Sequence, residues 1–387
     1  MSRHQLKLLL VINHLYPSGG AEIQLVHLAK GLAQLGHRVT VCCVDDWSID
    51  PEPLRASGVE LVSLQASTRL GRIVAIPRLI RLARRADVVQ CTMWDASLWG
   101  RIAAVLARRP VIVADHATDR SIQVAAGGAP RASWIERHNQ FLDPFTFATV
   151  ACAASQRPVL LGEGVSAKKI VHIPNGIPLA ELRSAADDGP TRGAVDFPPD
   201  AFVAMQIGVF RHEKNQLGAL GALALAKEQV AECKLVFVGD GVTRPEIEAR
   251  AVEIGAGAWT HFLGERDDVP ALLALADVML LPSLADAMPM TVLEAMALGV
   301  PVLATDVGDV AEMLGDAGVC VAVGDEEAFA AALVRLHADP ELRDKLGAAG
   351  RERARDFDAA TMARRYAALF EAARLGGAPS TELDLAV

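Results

Sequence analysis

Short apolar runs rich in β-branched residues alternate along the chain with longer stretches of helical periodicity. In the first half the runs predicted as strands are Lys7–Ile12, Arg38–Cys43, Asp87–Cys91, Pro110–Ala114, Thr149–Ala153 and Ile170–Ile173. The pattern restarts near residue 200 with Phe202–Ile207, Lys234–Val238, His261–Leu263, Val278–Leu281, Pro301–Ala304 and Val319–Val323. Unbroken apolar runs of this length mark strands buried on both faces, as in parallel sheets covered by helices. Strand then helix, repeated, predicts an α/β fold of two doubly wound, Rossmann-like sheets.

Three helices can be placed with their reasons. Glu22–Leu35 carries Ile23, Leu25, Leu28, Leu32 and Leu35 as a stripe, and Gly36 is suited to end it. Met290–Leu298 runs into Gly299, with Pro301 just beyond. Asp358 is placed to cap a last helix whose Met362, Tyr366, Leu369 and Phe370 share one face. Leu179–Asp200 is polar and turn-rich, with Ser184–Pro190 and Pro198-Pro199. The expected organisation is therefore a first domain over 1–180, a linker over 181–200, a second domain over 201–355, a helix over 356–375 and a loose tail over 376–387. Two such domains are expected to face across a cleft at the carboxyl ends of their strands, where ligands of open α/β sheets bind.

Composition narrows the classes. With 387 residues, 51% hydrophobic and 22% charged, the chain can bury large cores and is not disordered. A net charge of −9 argues against a nucleic-acid partner, which calls for a basic surface. The six cysteines form no C-x-x-C pair and read as buried free thiols of a reducing compartment. Leu6–Ile12 is short and leads into Asn13-His14 with no small-residue cleavage site, so it reads as a buried strand, not a signal peptide. No uncharged apolar run is long enough for a membrane-spanning helix, and a cytoplasmic location is expected. No clustered His and Cys ligands appear, so neither a metal nor another cofactor is expected.

Three segments could carry chemistry. Ser18-Gly19-Gly20-Ala21-Glu22 joins the first strand to its helix, where glycines admit a ligand and free amides face an anion. It also reads as a plain Gly-Gly turn. The Glu22 charge competes with a phosphate there, which favours the acceptor or the sugar over a diphosphate. Gly208–Asn215 follows the first strand of the second domain and includes Arg211, His212 and Lys214. Arg211 and Lys214 could hold a diphosphate and stabilise a departing nucleotide, or simply form a solvated basic loop. Pro282–Gly299 places Asp286 in a loop and Glu294 one turn into a helix. The amides near Met290 and Thr291 suit phosphate oxygens, and Glu294 suits ribose hydroxyls, or merely the helix dipole.

In order and spacing these segments resemble the retaining GT-B glycosyltransferases of the "glycosyl transferases group 1" family, over roughly residues 7–370. The family's Gly-Gly-Ala-Glu turn is matched by Gly19–Glu22, and its Asn-Gly-Ile element by Asn175-Gly176-Ile177. Its basic loop is matched around Glu213-Lys214-Asn215, and its paired acids before Ala-Met-Ala-x-Gly-x-Pro-Val by Asp286 and Glu294. Val236–Gly241 and Phe262–Gly264 match elements near the nucleotide. Two positions depart from the pattern. Val209 replaces the usual Arg after the loop glycine, with Arg211 two positions on, and Asp286 replaces the first glutamate.

The resemblance implies transfer of a sugar from a nucleotide-sugar donor to a glycan, lipid-linked or small-molecule acceptor, with retention and without a metal. It implies catalytic roles for His116, Arg211, Lys214 and Asp286, and donor contacts from Gly208, Arg211, Lys214, Gly239, Gly264, Met290, Thr291 and Glu294. Gly19, Gly20, His14 and Asn175 fall on the acceptor or sugar side, and the last helix crosses back to the first domain. Competing readings are a nucleotide-sugar 2-epimerase of similar fold, a sugar-binding protein without chemistry, and a degenerate transferase acting as a partner subunit.

One charge cluster is not absorbed by these roles. Arg69, Arg72, Arg78, Arg81, Arg84 and Arg85 precede the strand at Asp87–Cys91. The Arg72–Arg85 region reads either as a peripheral contact with an anionic membrane or acidic acceptor, or as a solvated helix face.

Overall fold

The computed structural model describes residues 5–16, 19–116, 139–195, 197–198 and 200–379. The described chain folds as two compact units. The first lies within 1–117, 131–176 and 359–387, and the second within 177–358.

The first unit holds a seven-stranded parallel sheet in the order β3-β2-β1-β4-β5-β6-β7. Its strands are β1 (Lys7–Ile12), β2 (Arg38–Cys43), β3 (Glu60–Ser63), β4 (Val88–Thr92), β5 (Val111–Asp115), β6 (Ala148–Ala151) and β7 (Ile170–His172). Alternate residues of β1 serve two cores. Leu8, Leu10 and Ile12 pack with Leu25, Leu28 and Leu32 of helix Gly20–Gln34 and with Met362, Leu369 and Phe370 of helix Ala359–Leu375. Leu9 and Val11 pack on the other face with Leu79 and Ala83 of helix Arg69–Arg85 and with Ala103 and Ala104 of helix Trp94–Ala107. Burial on both faces is why β1 reads as an unbroken apolar run.

The second unit holds a six-stranded parallel sheet in the order β10-β9-β8-β11-β12-β13. Its strands are β8 (Phe202–Ile207), β9 (Cys233–Val238), β10 (Thr260–Phe262), β11 (Val278–Leu281), β12 (Val302–Thr305) and β13 (Gly318–Val321). Ala204 faces a core with Leu220, Leu223, Phe237, Leu280 and Leu333. Val203 and Met205 face the opposite one, with Val236, Leu272 and Phe197.

The structure corrects three expectations. The stretch 181–200, read as a linker, belongs to the second unit, which begins at Ile177. Helix Leu179–Asp187 buries Leu182 and donates from Arg183 Nε to the Ala297 carbonyl at 3.3 Å. Arg192 reaches Asp277 Oδ2 at 2.7 Å and Phe197 enters the core. A few anchors in an otherwise polar sequence hold the segment down, and polarity alone concealed them. Strand β3 was not foreseen, because Glu60–Ser63 is a short edge strand with an exposed glutamate. Finally, Cys320 is exposed on β13, whereas the other five free cysteines are buried.

The last helix is Ala359–Leu375 and belongs to the first unit, with Asp358 preceding it in extended conformation. Its crossing with helix Gly20–Gln34 is close. A Cβ on Gly31 would stand 2.6 Å from the Ala363 Cβ.

Candidate active site

In the second unit the strand order runs outward from β8 in both directions, so the loops after β8 and β11 part at the topological switch point. Ligands of open α/β sheets bind in that crevice. The loop after β8 contains Gly208, exposed Arg211, a short 3-10 turn His212–Lys214 and Asn215 in left-handed conformation. Asn215 caps helix Gln216–Ala226 by accepting from the Gly218 amide at 3.1 Å, and its Nδ2 donates to the Pro282 carbonyl at 3.0 Å. The Leu284 amide donates to the Glu213 carbonyl at 2.8 Å. The two loops are therefore stitched together. Lys214 Nζ lies 2.5 Å from Asp286 Oδ2 in the same crevice. Arg211 is only loosely matched, 3.9 Å from Glu213 Oε1.

The expected donor-side glycines converge at the ends of adjacent strands. Gly239 follows β9 at φ +125° and donates to the Gly264 carbonyl at 2.7 Å. A Cβ there would meet the Gly208 carbonyl oxygen at 2.2 Å. Backbones of β8, β9 and β10 can close up at this corner only because Gly239 has no side chain.

Helix Met290–Leu298 starts after Pro289, which provides no side-chain cap. The amides of Met290, Thr291 and Val292 are orphan donors at the positive end of the helix dipole. Glu294 lies one turn in, without a hydrogen bond or ion pair to any described residue, and burial pushes its carboxyl up to about 7. The arrangement offers a dianion the Met290–Val292 amides, Lys214 and Arg211, and offers hydroxyl donors the Glu294 carboxyl.

The first unit gathers the other candidates at the carboxyl edge of its sheet. His14 follows β1, with Nε2 at 3.2 Å from Glu22 Oε1 and its ring 4.2 Å from that of Tyr16. Gly19 lies against the Glu22 carboxyl, and a Cβ there would come within 2.1 Å of Oε2. Gly20 opens the helix that carries Glu22, whereas Ser18 lies outside the described residues. His116 directly follows β5, and burial lowers its imidazole to about 4. Asn175 is buried beyond β7, and the amide of the next residue, Gly176, donates to the Gln24 side chain at 3.3 Å, two residues along the helix from Glu22.

Sequence reasoning missed residues that shape the crevice of the second unit. Buried Gln206 and Gln216 donate to the carbonyls of Lys214 (2.7 Å) and Val209 (3.2 Å), fixing both ends of the basic loop. Gly308, at φ +55°, lets the β12 loop approach the Asp286 backbone, where a Cβ would meet its carbonyl oxygen at 2.1 Å. A glycine just after a strand was the available signal for Gly308, whereas a glutamine inside an apolar run gave none.

Among the described residues no group of three His, Cys, Asp or Glu side chains could hold a metal ion. No described helix is long and apolar enough to cross a membrane.

Comparison with known proteins agrees with this division of the chain. Residues 18–181 match the family described as Glycosyltransferase Family 4, and residues 189–353 match Glycosyl transferases group 1. The putative glycosyltransferase EpsD of Bacillus subtilis is 29% identical over 308 residues, covering 74% of this chain and 76% of that protein. The UDP-Gal:alpha-D-GlcNAc-diphosphoundecaprenol alpha-1,3-galactosyltransferase of Escherichia coli is 25% identical over 281 residues, covering 70% of this chain and 71% of that protein. In fold, the chain resembles Anabaena HepE solved with UDP and glucose, with a TM-score of 0.82 at 22% identity, over 95% of this chain and all of that one. The two Rossmann-like sheets, the order of the motifs and these matches together identify the protein as a GT-B glycosyltransferase, its first half matching Glycosyltransferase Family 4 and its second half Glycosyl transferases group 1.

Proposed function

We propose that the protein transfers a sugar from a nucleoside diphosphate sugar to a glycan or lipid-linked acceptor of surface polysaccharide assembly, with retention of anomeric configuration. The observation that carries this reading is the crevice at the switch point of the second unit. There Lys214 and Arg211 follow β8, and the orphan amides of helix Met290–Leu298 and the Glu294 carboxyl, which has no hydrogen bond or ion pair among the described residues, follow the neighbouring β11. Phosphate oxygens suit the amides and the two cations, and a ribose suits Glu294. The C1–O bond to the diphosphate breaks while an acceptor hydroxyl oxygen bonds to C1, and the hydroxyl proton passes to the departing diphosphate oxygen. The charge left on the diphosphate falls to Lys214, Arg211 and the helix amides, so the reaction proceeds without a metal. We assign acceptor and sugar contacts to His14, Gly19, Gly20, His116 and Asn175 of the first unit. UDP sugars lead the candidates, because HepE was solved with UDP and the Escherichia coli relative is named for UDP-Gal. That relative's name also carries a diphosphoundecaprenol acceptor, which supports the lipid-linked class.

The test is release of nucleoside diphosphate from a panel of UDP, GDP and ADP sugars, with and without EDTA, followed by NMR of the anomeric configuration of any product. Turnover of one donor, unaffected by EDTA and giving retained product, is expected. An inverted product or loss of turnover in EDTA would overturn those parts of the proposal. Absence of both turnover and donor binding would overturn the whole.

A further inference from the structure

Helix Arg69–Arg85 turns Leu79 and Ala83 into the core of the first unit, yet its outer face is not polar in the ordinary way. Leu70, Ile73 and Val74 are 71%, 54% and 71% exposed. Together with exposed Pro77 they follow the 3- and 4-residue spacing of one helix face. The same face continues into Arg81, Arg84 and Arg85, flanked by Arg78, all exposed. Arg109, at the end of the neighbouring helix Trp94–Ala107, adds to the basic end by donating to the Arg84 carbonyl at 2.9 Å. Arg72 does not belong to this surface. It is tied to Asp95 at 2.5 Å and to Asp45 at 3.4 Å, and so fastens the helix to the unit. The helix itself contains no acidic residue, in a chain whose net charge is −9.

We propose that this face is a membrane-docking surface, with the Leu70-Ile73-Val74 turns entering the interfacial layer of a bilayer and the arginines resting on anionic headgroups. Large exposed aliphatics cost free energy in water and recover it on burial. An in-plane helix with an apolar stretch and a basic stretch suits an anionic lipid surface. A second copy of the chain meeting this helix through the same face would bring arginines and no countercharge, so self-association is disfavoured. The docking surface is independent of which donor or acceptor the enzyme takes.

The experiment is co-sedimentation of the full chain with vesicles of phosphatidylcholine alone and of phosphatidylcholine with phosphatidylglycerol. Wild type is expected to bind the anionic vesicles, to ignore the neutral ones, and to be released by salt. Ile73→Asp combined with Val74→Asp should abolish binding. Arg81→Glu combined with Arg85→Glu should weaken it by roughly 25-fold or more, taking about fivefold per arginine. All four side chains are exposed, so both variants should unfold thermally like wild type. Failure of wild type to bind anionic vesicles, or undiminished binding by both variants, would overturn the proposal. Equal binding to neutral vesicles would overturn its electrostatic half, and a mass change on dilution confined to wild type would favour self-association instead.

Discussion

Lys214 and Asp286, 72 residues apart in sequence, meet at 2.5 Å across the two loops at the switch point of the second unit. The pair sets a competition. In the proposed mode of binding, a diphosphate takes the Lys214 ammonium that Asp286 now holds, and the carboxylate repels the incoming anion. Lys214→Ala should therefore lower donor turnover by about 10²–10³-fold, the usual effect of removing one donor of charge to a developing anion. Asp286→Asn should separate binding from chemistry: nucleoside diphosphate binds more tightly by calorimetry, while turnover falls. Equal losses of both in Asp286→Asn would show that the carboxylate serves nucleotide binding itself.

Glu294 makes stability and binding respond oppositely to pH. Its carboxyl is raised from 4.5 to about 7 in the folded chain, so between those values the native state retains a proton that the unfolded chain has lost. Stability contributed at this site thus falls as pH rises through that window and is level above it. Glu294→Gln carries no such penalty. Its thermal midpoint should gain on wild type from about pH 5 to about pH 8, while nucleotide affinity drops at the higher pH, where wild type offers ribose a carboxylate. A midpoint difference that does not change with pH would contradict this account.

The resemblance of Gly239 to a nucleotide-contacting position has a second, steric explanation. Its φ of +125° and the 2.2 Å approach of a Cβ to the Gly208 carbonyl leave no room for a side chain. Gly239→Ala should cost about 1–3 kcal/mol or more in urea unfolding, from strain and displaced backbone together. Gly257, with nothing within 4 Å of its Cβ and no positive φ, is the matched control and should tolerate alanine.

His116 is held neutral by its surroundings. Burial lowers its imidazole to about 4, with Asp115 opposing in part. The rate profile should accordingly show no limb from this residue between about pH 5 and pH 8, where an unperturbed histidine would titrate. His116→Gln, which keeps hydrogen-bonding capacity, should retain more turnover than His116→Ala, by about tenfold for one hydrogen bond. A turnover loss in wild type centred near pH 6.5 and absent from His116→Gln would reverse this assignment.

Much of this was legible because buried parallel strands announce themselves. Lys7–Ile12, Arg38–Cys43, Phe202–Ile207 and Val278–Leu281 occupy the positions that their apolar runs predict, and Met290–Leu298 ends at its glycine. Elements that keep few apolar anchors were not legible. Glu60–Ser63 is half-exposed at a sheet edge, and Leu179–Asp187 hides its docking in Leu182 and Arg183. Long-range polar geometry was also silent. Nothing in the spacing of Gln206 and Gln216 shows that they grip the basic loop, or that Lys214 is committed to Asp286 before any donor arrives. Conversely, the arginine-rich helix was visible as charge, but its exposed Leu70, Ile73 and Val74 required the fold to say which face they occupy.

The central claim is that a nucleoside diphosphate binds at the switch point of the second unit. Amide hydrogen exchange with and without UDP tests it most directly, because it reports position by position. The account predicts slowed exchange in the segments 208–215 and 289–294, lost together in Glu294→Ala. Protection confined to the segment 19–24 of the first unit, with 208–215 and 289–294 unchanged, would contradict it.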